Sequence, residues 1–470
     1  MTQESAMIYQ TIDQMKHSIV DVITIEEETI VISEEDRLRD ILIDDLIYSA
    51  IFSPDDNVKS SARWLIRMAG SQLGCMLASI QSLYDAMGNN QVSGFTVPAI
   101  NLRGITYYSA QAVFRAARKN NVGAFIFEIA RSEIGYTDQR PSEYAAAIIA
   151  AAIKTGYTGP IFLQGDHFQI NAKKYFEDPK AESQAIKSLI REAIEAGFYN
   201  IDIDASTVVD LDRATIQEQQ EDNYVITADM TSTIRQIEPE GITVSVGGEI
   251  GEIGDKNTTV EEFTIFMDNY LKRLRQYGPD LKGISKISVQ TGTTHGGVPL
   301  PDGSIATVKI DFETLENISR EAQVAYGLSG AVQHGASTLP NEAFDKFPET
   351  KTSEIHLATG FQNIIYDSKW FPADLRNRIY EYINTDLRGE KKETDTEEQF
   401  IYKTRKKGFG IFKKDMWDLP PDILKSISEE LEAQFSFLFD KLNLRGTEAI
   451  INRFVTPLDV PLEAPTLLEH

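Results

Sequence analysis

The sequence predicts an α/β chain folded as a (β/α)8 TIM barrel with helical N-terminal and C-terminal extensions. Three observations predict it. Short apolar β-rich runs alternate with longer helical stretches from about residue 91 to 370. Eight such runs follow one another, which is the strand number of the barrel. The glycine-rich first turn that a doubly wound sheet would carry is missing.

Residues 1–90 read as a helical N-terminal extension in which acidic and apolar positions interleave, as in Glu34-Glu35-Asp36-Arg37 followed by Leu38, Ile41, Leu42 and Leu46. Its last helix runs through Leu83 and Met87 and stops at Gly88-Asn89-Asn90. The expected strands are Phe95–Asn101, Ala124–Ile129, Ile161–His167, Asn200–Asp204, Thr243–Glu249, Ile284–Gln290, Gly327–His334 and Phe361–Tyr366. Helices are expected over Tyr108–Asn120, Glu143–Thr155, Ala181–Ala196, Val260–Arg275 and Phe312–Ala325. Gly156 and Gly197 stand where helix C-caps belong, and Ser142 and Asp311 are suited to N-caps. Beyond Asp367 the alternation ends, and residues 371–470 read as a mostly helical C-terminal extension. There a charged stretch (386–399) and a basic run from Lys403 to Lys407 precede an amphipathic helix from about Pro421 to Leu442.

Composition excludes some functions. A net charge of −25 argues against a nucleic-acid partner, since a polyanion is repelled at long range. The longest apolar run, Ala145–Ile153, is far short of the roughly 20 residues of a membrane span. A single cysteine, Cys75, allows no intrachain disulfide and suits a reducing compartment. The first residues lack a basic start followed by an apolar stretch, so the cytoplasm is the expected location. Leu468-Glu469-His470 resembles the beginning of an affinity tag, and His470 is left out of the site for that reason.

Of six histidines, three fall at or near the carboxyl ends of expected strands: His167 in FLQGDH, His295 in SVQTGTTHGG and His334 in GAVQHGAS. A barrel gathers those strand ends at one rim. Three neutral imidazoles meeting there form a ligand set for catalytic zinc, with cobalt and iron as alternatives. Glu249, ending the fifth strand, is either a further ligand or a rim carboxylate in a salt bridge. Asp166 precedes His167, so strand alternation turns it away from its neighbour, either toward substrate for proton transfer or into a role orienting an imidazole. Gly296, Gly335 and Ser337, beside the histidines, offer donors to an anion. His17 and His356 are assigned to helical context and to no site.

These motifs resemble the class II, metal-dependent ketose-bisphosphate aldolases of the fructose- and tagatose-bisphosphate type, from about Gly94 to Tyr366. The family's Asp-His pair matches Asp166-His167, which implies a proton donor and a zinc ligand. Its Glu-aliphatic-Gly segment matches Glu249-Ile250-Gly251. Its His-Gly matches His295-Gly296, and its His-Gly-small-Ser matches His334-Gly335-Ala336-Ser337. The asparagine ending the first strand matches Asn101, and the one opening the eighth-strand motif matches Asn363, both with implied substrate contacts. There are departures. The family's Asn-Ile-Asp-Thr reads Asn363-Ile364-Ile365-Tyr366 here, the lysine after the sixth-strand histidine is missing, and a loop glutamate has only Glu252 or Asp255 as a stand-in. The resemblance implies a zinc-dependent lyase that cleaves a ketose (bis)phosphate reversibly, with Asp166 and Glu252 catalytic. The alternatives are a metal-dependent epimerase of ketoses or ketouronates and a non-catalytic aldolase-like subunit. The expected partners are a small sugar or sugar phosphate and further copies of the chain in a homo-oligomer.

Overall fold

The computed structural model describes residues 6–26, 28–251, 256–292, 300 and 310–468. Eight parallel strands close into a barrel: β1 (Val97–Asn101), β2 (Ile126–Ala130), β3 (Ile161–Gln169), β4 (Asn200–Asp204), β5 (Ser245–Gly251), β6 (Lys286–Val289), β7 (Ala331–Gln333) and β8 (Glu354–Leu357). Each pairs with the next, and β8 pairs with β1 through the register Glu354↔Val97 to Leu357↔Ile100. A two-residue strand, Leu77–Ala78, also pairs with the start of β3.

Seven of the eight expected strands are present, Asn200–Asp204 with the expected ends and the other six with shifted ends. The eighth is a correction. Phe361–Tyr366 lies in the helix Thr359–Asp367, and the strand that closes the barrel is Glu354–Leu357. An apolar run of six residues fits a buried strand and a buried helix face equally well. The real strand was disguised by Glu354 and His356, polar residues that point into the barrel. His356 therefore sits in a barrel strand, not in helical context. Among the described residues, the N-terminal extension is mostly helical, with a hairpin, Ile23–Glu26 with Thr29–Ile32, and the short strand Leu77–Ala78 as its extended segments.

The helix ends obey local chemistry. Gly156 caps its helix in the left-handed region at φ 64°, and Asp311 accepts a hydrogen bond from the Thr314 amide. Ser142 is no N-cap. That helix begins one residue earlier at Pro141, whose fixed φ suits the first helical position.

The C-terminal extension is docked on the barrel. The helix Pro421–Lys441 packs on Thr106–Asn120, where Arg115 donates to Glu432 at 2.6 Å and to Ser428 at 2.8 Å. Trp417 donates to the Gly104 carbonyl at 3.0 Å, and the Phe409 ring fills the space beside Gly104. Gly410 lies against the Tyr136 carbonyl so closely that a Cβ would come within 2.4 Å of its oxygen. Gly410→Ala should therefore destabilise by about 1–3 kcal/mol, as overpacking against backbone does. Gly389→Ala, with nothing within 4 Å, should stay within about 0.5 kcal/mol of the parent in denaturant unfolding.

Inside the barrel, Lys286 on β6 donates to Gln164 (2.7 Å), Asp202 (3.0 Å) and Glu354 (2.5 Å). Tyr84 also donates to Glu354. Burial would suppress the ammonium, but Asp202 and Glu354 more than offset it and hold its pKa above the ordinary lysine value. Lys286→Met would strand two buried carboxylates and should cost about 3–5 kcal/mol in equilibrium unfolding. A loss below about 1 kcal/mol would contradict that account.

Candidate active site and metal centre

A bulge shapes the end of β3. Gly165 pairs with Ile201 and Phe168 with Ile203, so Asp166 and His167 together oppose one residue of β4. His167 takes φ 40°, a strained value for a residue with a Cβ. The expected alternation is thereby broken: both side chains reach one cavity, with His167 Nε2 3.7 Å from Asp166 Oδ1. A second irregularity, between Glu249 and Gly251 on β5, lets Glu249 reach the same place. Gly251 absorbs it at φ 71°.

His167 and His334 come together, with ring centroids 4.1 Å apart. Glu249 bridges them, at 3.1 Å from His167 Nδ1 and 3.6 Å from His334 Nδ1. Asp204 stands 3.1 Å from His167 Nδ1 and is itself fixed by the Ser206 amide and hydroxyl. His295, Gly296 and Glu252 lie outside the described residues.

Two residues that sequence reasoning passed over complete the cluster. His356 places Nδ1 2.9 Å from Glu128 and 3.2 Å from Asp166, and Nε2 2.7 Å from Glu354. Its ring stands 4.1 Å from that of His334. Glu128 and His356 both sit in barrel strands and line the cavity. A charged residue near the end of an apolar run (FIFEIA) was the available signal for Glu128.

The charges follow from burial and proximity. Burial opposes ionisation of Asp166, but His167, His356 and His334 hold it well below the usual carboxylate range. Glu249 is depressed the same way by His167 and His334. Burial, then the Asp166 charge, hold Glu128 above the ordinary carboxyl range. His334 is pushed down to about 3 by burial, His356 and His167. His167 is raised despite burial, by Asp166 and Glu249.

This donor set fits a divalent ion. One ligand atom from each of Asp166, His167 and His334 lies within 4.8 Å of the others, as do those of His167, Asp204 and Glu249. Imidazole nitrogen and carboxylate oxygen are ligands that zinc and related ions accept. Burial and the neighbouring imidazoles favour the neutral form of His334, the form that binds a metal.

The cavity holds about 750 Å³. Gly335 (φ 68°), Ser337 and Thr359 line it, and Ser337 accepts from the Ala358 amide at 2.6 Å. Asn101 stands behind the wall, donating to Glu133 at 2.6 Å and accepting from Arg103 at 3.2 Å. Asn363, on its helix, donates to Tyr402 at 3.0 Å and accepts from Arg405 at 2.8 Å. Its position is thus a correction to the eighth-strand assignment: it ties the extension to the barrel.

A sequence profile described as fructose-bisphosphate aldolase class-II matches residues 81–431. No curated protein sequence is a significant match to the chain. Among solved structures, a fructuronate-tagaturonate epimerase from Cohnella laeviribosi is 11% identical, with a TM-score of 0.56, covering 90% of this chain and 93% of that one. A probable tagatose 6 phosphate kinase from Sinorhizobium meliloti is 14% identical at a TM-score of 0.51, covering 79% and 96%. A fructose-bisphosphate aldolase from Campylobacter jejuni is 19% identical at 0.47, covering 79% and 97%. The epimerase and the tagatose 6 phosphate kinase structures show a shared fold, and the profile spans well over half of the sequence. The chain belongs to the class II fructose-bisphosphate aldolase family.

Proposed function

We propose that this protein is a divalent-metal-dependent aldolase, with zinc as the expected metal, that cleaves a ketose (bis)phosphate reversibly between two hydroxyl-bearing carbons. The observation that carries the reading is the meeting of Asp166, His167 and His334 in one cavity at the carboxyl ends of the strands, with Glu249 against both imidazoles. His167 and His334, with Glu249 beside them, would hold the ion, and His295 is proposed as the third imidazole. Bound there, the ion supplies Lewis-acid polarisation of the ketose carbonyl.

The chain's own groups divide the remaining work. Asp166, kept ionised by three imidazoles, is the base that takes the proton from the hydroxyl whose carbon loses its bond. Glu128, kept protonated by burial and by Asp166, stands ready as a proton donor in the same cavity. His356 lies between these two carboxylates and fixes their spacing. Glu252 is proposed for the second proton transfer. Gly335 and Ser337, with Gly296, offer donors to a phosphoryl group.

A second reading has its own support. The family's Asn-Ile-Asp-Thr reads Asn363-Ile364-Ile365-Tyr366 here, and the long extension lends Tyr402 and Lys403 to the cavity wall. The Cohnella epimerase matches the chain nearly end to end. An enzyme that breaks and re-forms the same bond on a ketouronate would use the same base and the same ion. A homo-oligomer in the cytoplasm is part of either proposal.

Fructose or tagatose bisphosphate should yield triose phosphates with the purified protein, and EDTA should abolish the reaction. If both sugars stay intact with metal-replete protein while NMR shows a ketouronate turning into its isomer without trioses, the epimerase reading replaces the first. His167→Ala and His334→Ala should each lower metal content measured by elemental analysis. Asp166→Asn should retain the metal and lose about 10²–10⁴-fold in kcat. Metal binding unchanged in both histidine variants would remove the foundation of either reading.

A further inference from the structure

The basic run of the C-terminal extension is neutralised residue by residue, with one exception. Lys403 pairs with Asp395 at 2.5 Å, Arg405 with Asp367 at 2.6 Å, and Lys407 with Glu390 at 2.6 Å. Further on, Lys413 pairs with Glu143 at 2.5 Å and Lys414 with Asp418 at 2.7 Å. Lys406 is different. It is half-buried, it lines the cavity, and no carboxylate among the described residues lies within ion-pairing distance of it. Its ammonium sits 5.5 Å from the centre of the Tyr136 ring. It shares this wall with the Arg103 guanidinium, which is pinned by Glu133, Asn101 and Gln362.

A partly desolvated ammonium next to another cation is unfavourable unless a counter-anion arrives. The cavity is correspondingly polarised. Glu128, Asp166, His334 and His356 form its buried acidic and imidazole end, while Lys406 and Arg103 stand on the wall that the extension completes. A ligand that fits such a field presents hydroxyl and carbonyl oxygens at one end and a negative charge at the other.

We infer that Lys406, supported by Arg103, is the specificity-determining cation of the cavity and engages a carboxylate or phosphoryl group on the end of the substrate remote from the His167–His334 pair. This inference rests on the reading that the cavity receives an open-chain ketose. It assigns the C-terminal extension a part in substrate selection. The helical run 397–411 is held against the barrel by Gly408, Phe409 and Gly410, and this docking carries Lys406 to the wall.

The test compares the full-length, zinc-loaded parent with Lys406→Gln, Lys406→Met and Lys406→Arg. Calorimetric binding and steady-state kinetics are measured with fructose 1,6-bisphosphate, a ketohexuronate and uncharged fructose. The uncharging variants should weaken binding and raise KM about tenfold or more for the anionic sugars, the cost of losing one charge-assisted contact, with free fructose unaffected. Lys406→Arg should stay within about threefold of the parent, since it keeps the charge. Metal content and melting temperature equal to the parent's establish that a variant is folded, and Lys406→Met serves if Lys406→Gln is not. The sugar whose binding falls further identifies the anion as phosphoryl or carboxylate. Equal affinity of parent and uncharged variant for both anionic sugars overturns the inference, as does a parent that binds neither more tightly than fructose. Lys406-dependent binding without turnover upholds the subsite and rejects the proposed reaction. Turnover with an unchanged KM does the reverse.

Discussion

Buried negative charge is the constraint on which this barrel is organised. Asp166, Asp202, Asp204, Glu249 and Glu354 are all buried at its strands. Each would be forced neutral or expelled if left uncompensated, because a lone carboxylate in a low-dielectric interior costs several kcal/mol. Lys286 answers Asp202 and Glu354 at one level, and His356 answers Glu354 and Asp166 at the next. Nearest the mouth, Asp204 and Glu249 meet His167. These carboxylates outnumber the cations beside them, so the interior attracts positive charge toward the two imidazoles that could ligate a metal.

Backbone irregularity does the aiming. In a regular strand Asp166 and His167 would face opposite sides, and one of them would be lost to the surrounding helices. The extra residue in β3 bends the strand and turns both inward, and the strained φ of His167 is held by contacts to Asp204 and Glu249. The irregularity in β5 does the same for Glu249. Both lie where strands meet the catalytic rim, the place where bulges re-aim side chains.

Much of this was legible in the sequence, and the failures have physical causes. Periodicity located seven strands because their apolar runs are bounded by turn residues. It failed at β8, where Glu354 and His356 interrupt the run to serve the barrel interior, while the more apolar Phe361–Tyr366 is a helix face packed on Phe435. The same error hid His356 and set Asn363 in a strand, whereas it lies on a helix. His167, His334, Asp166 and Glu249 were legible because each ends a recognisable strand. Glu128 and Lys286 were not, since a single charged residue in an apolar run carries no sign of the partner it will meet across the barrel. No local pattern reveals a bulge in a strand whose composition is otherwise regular.

The extension's place on the fold explains why a barrel in this family carries so long a tail. Loops after the strands can supply donors for an anion, but the segment that follows β8 returns over the mouth and brings side chains to the wall that the barrel alone leaves open. Arg405 anchors it through Asp367 and Asn363, and Tyr366 is stacked beneath the same guanidinium. The next residue along the chain, Lys406, therefore arrives at the cavity with little freedom left to lose, and an ordered cation costs less binding free energy than a mobile one. A pocket whose acidic end is built by strands and whose basic wall is completed by a docked tail discriminates by charge at both ends. On the proposed function, shape then has only to separate sugars that already share that polarity.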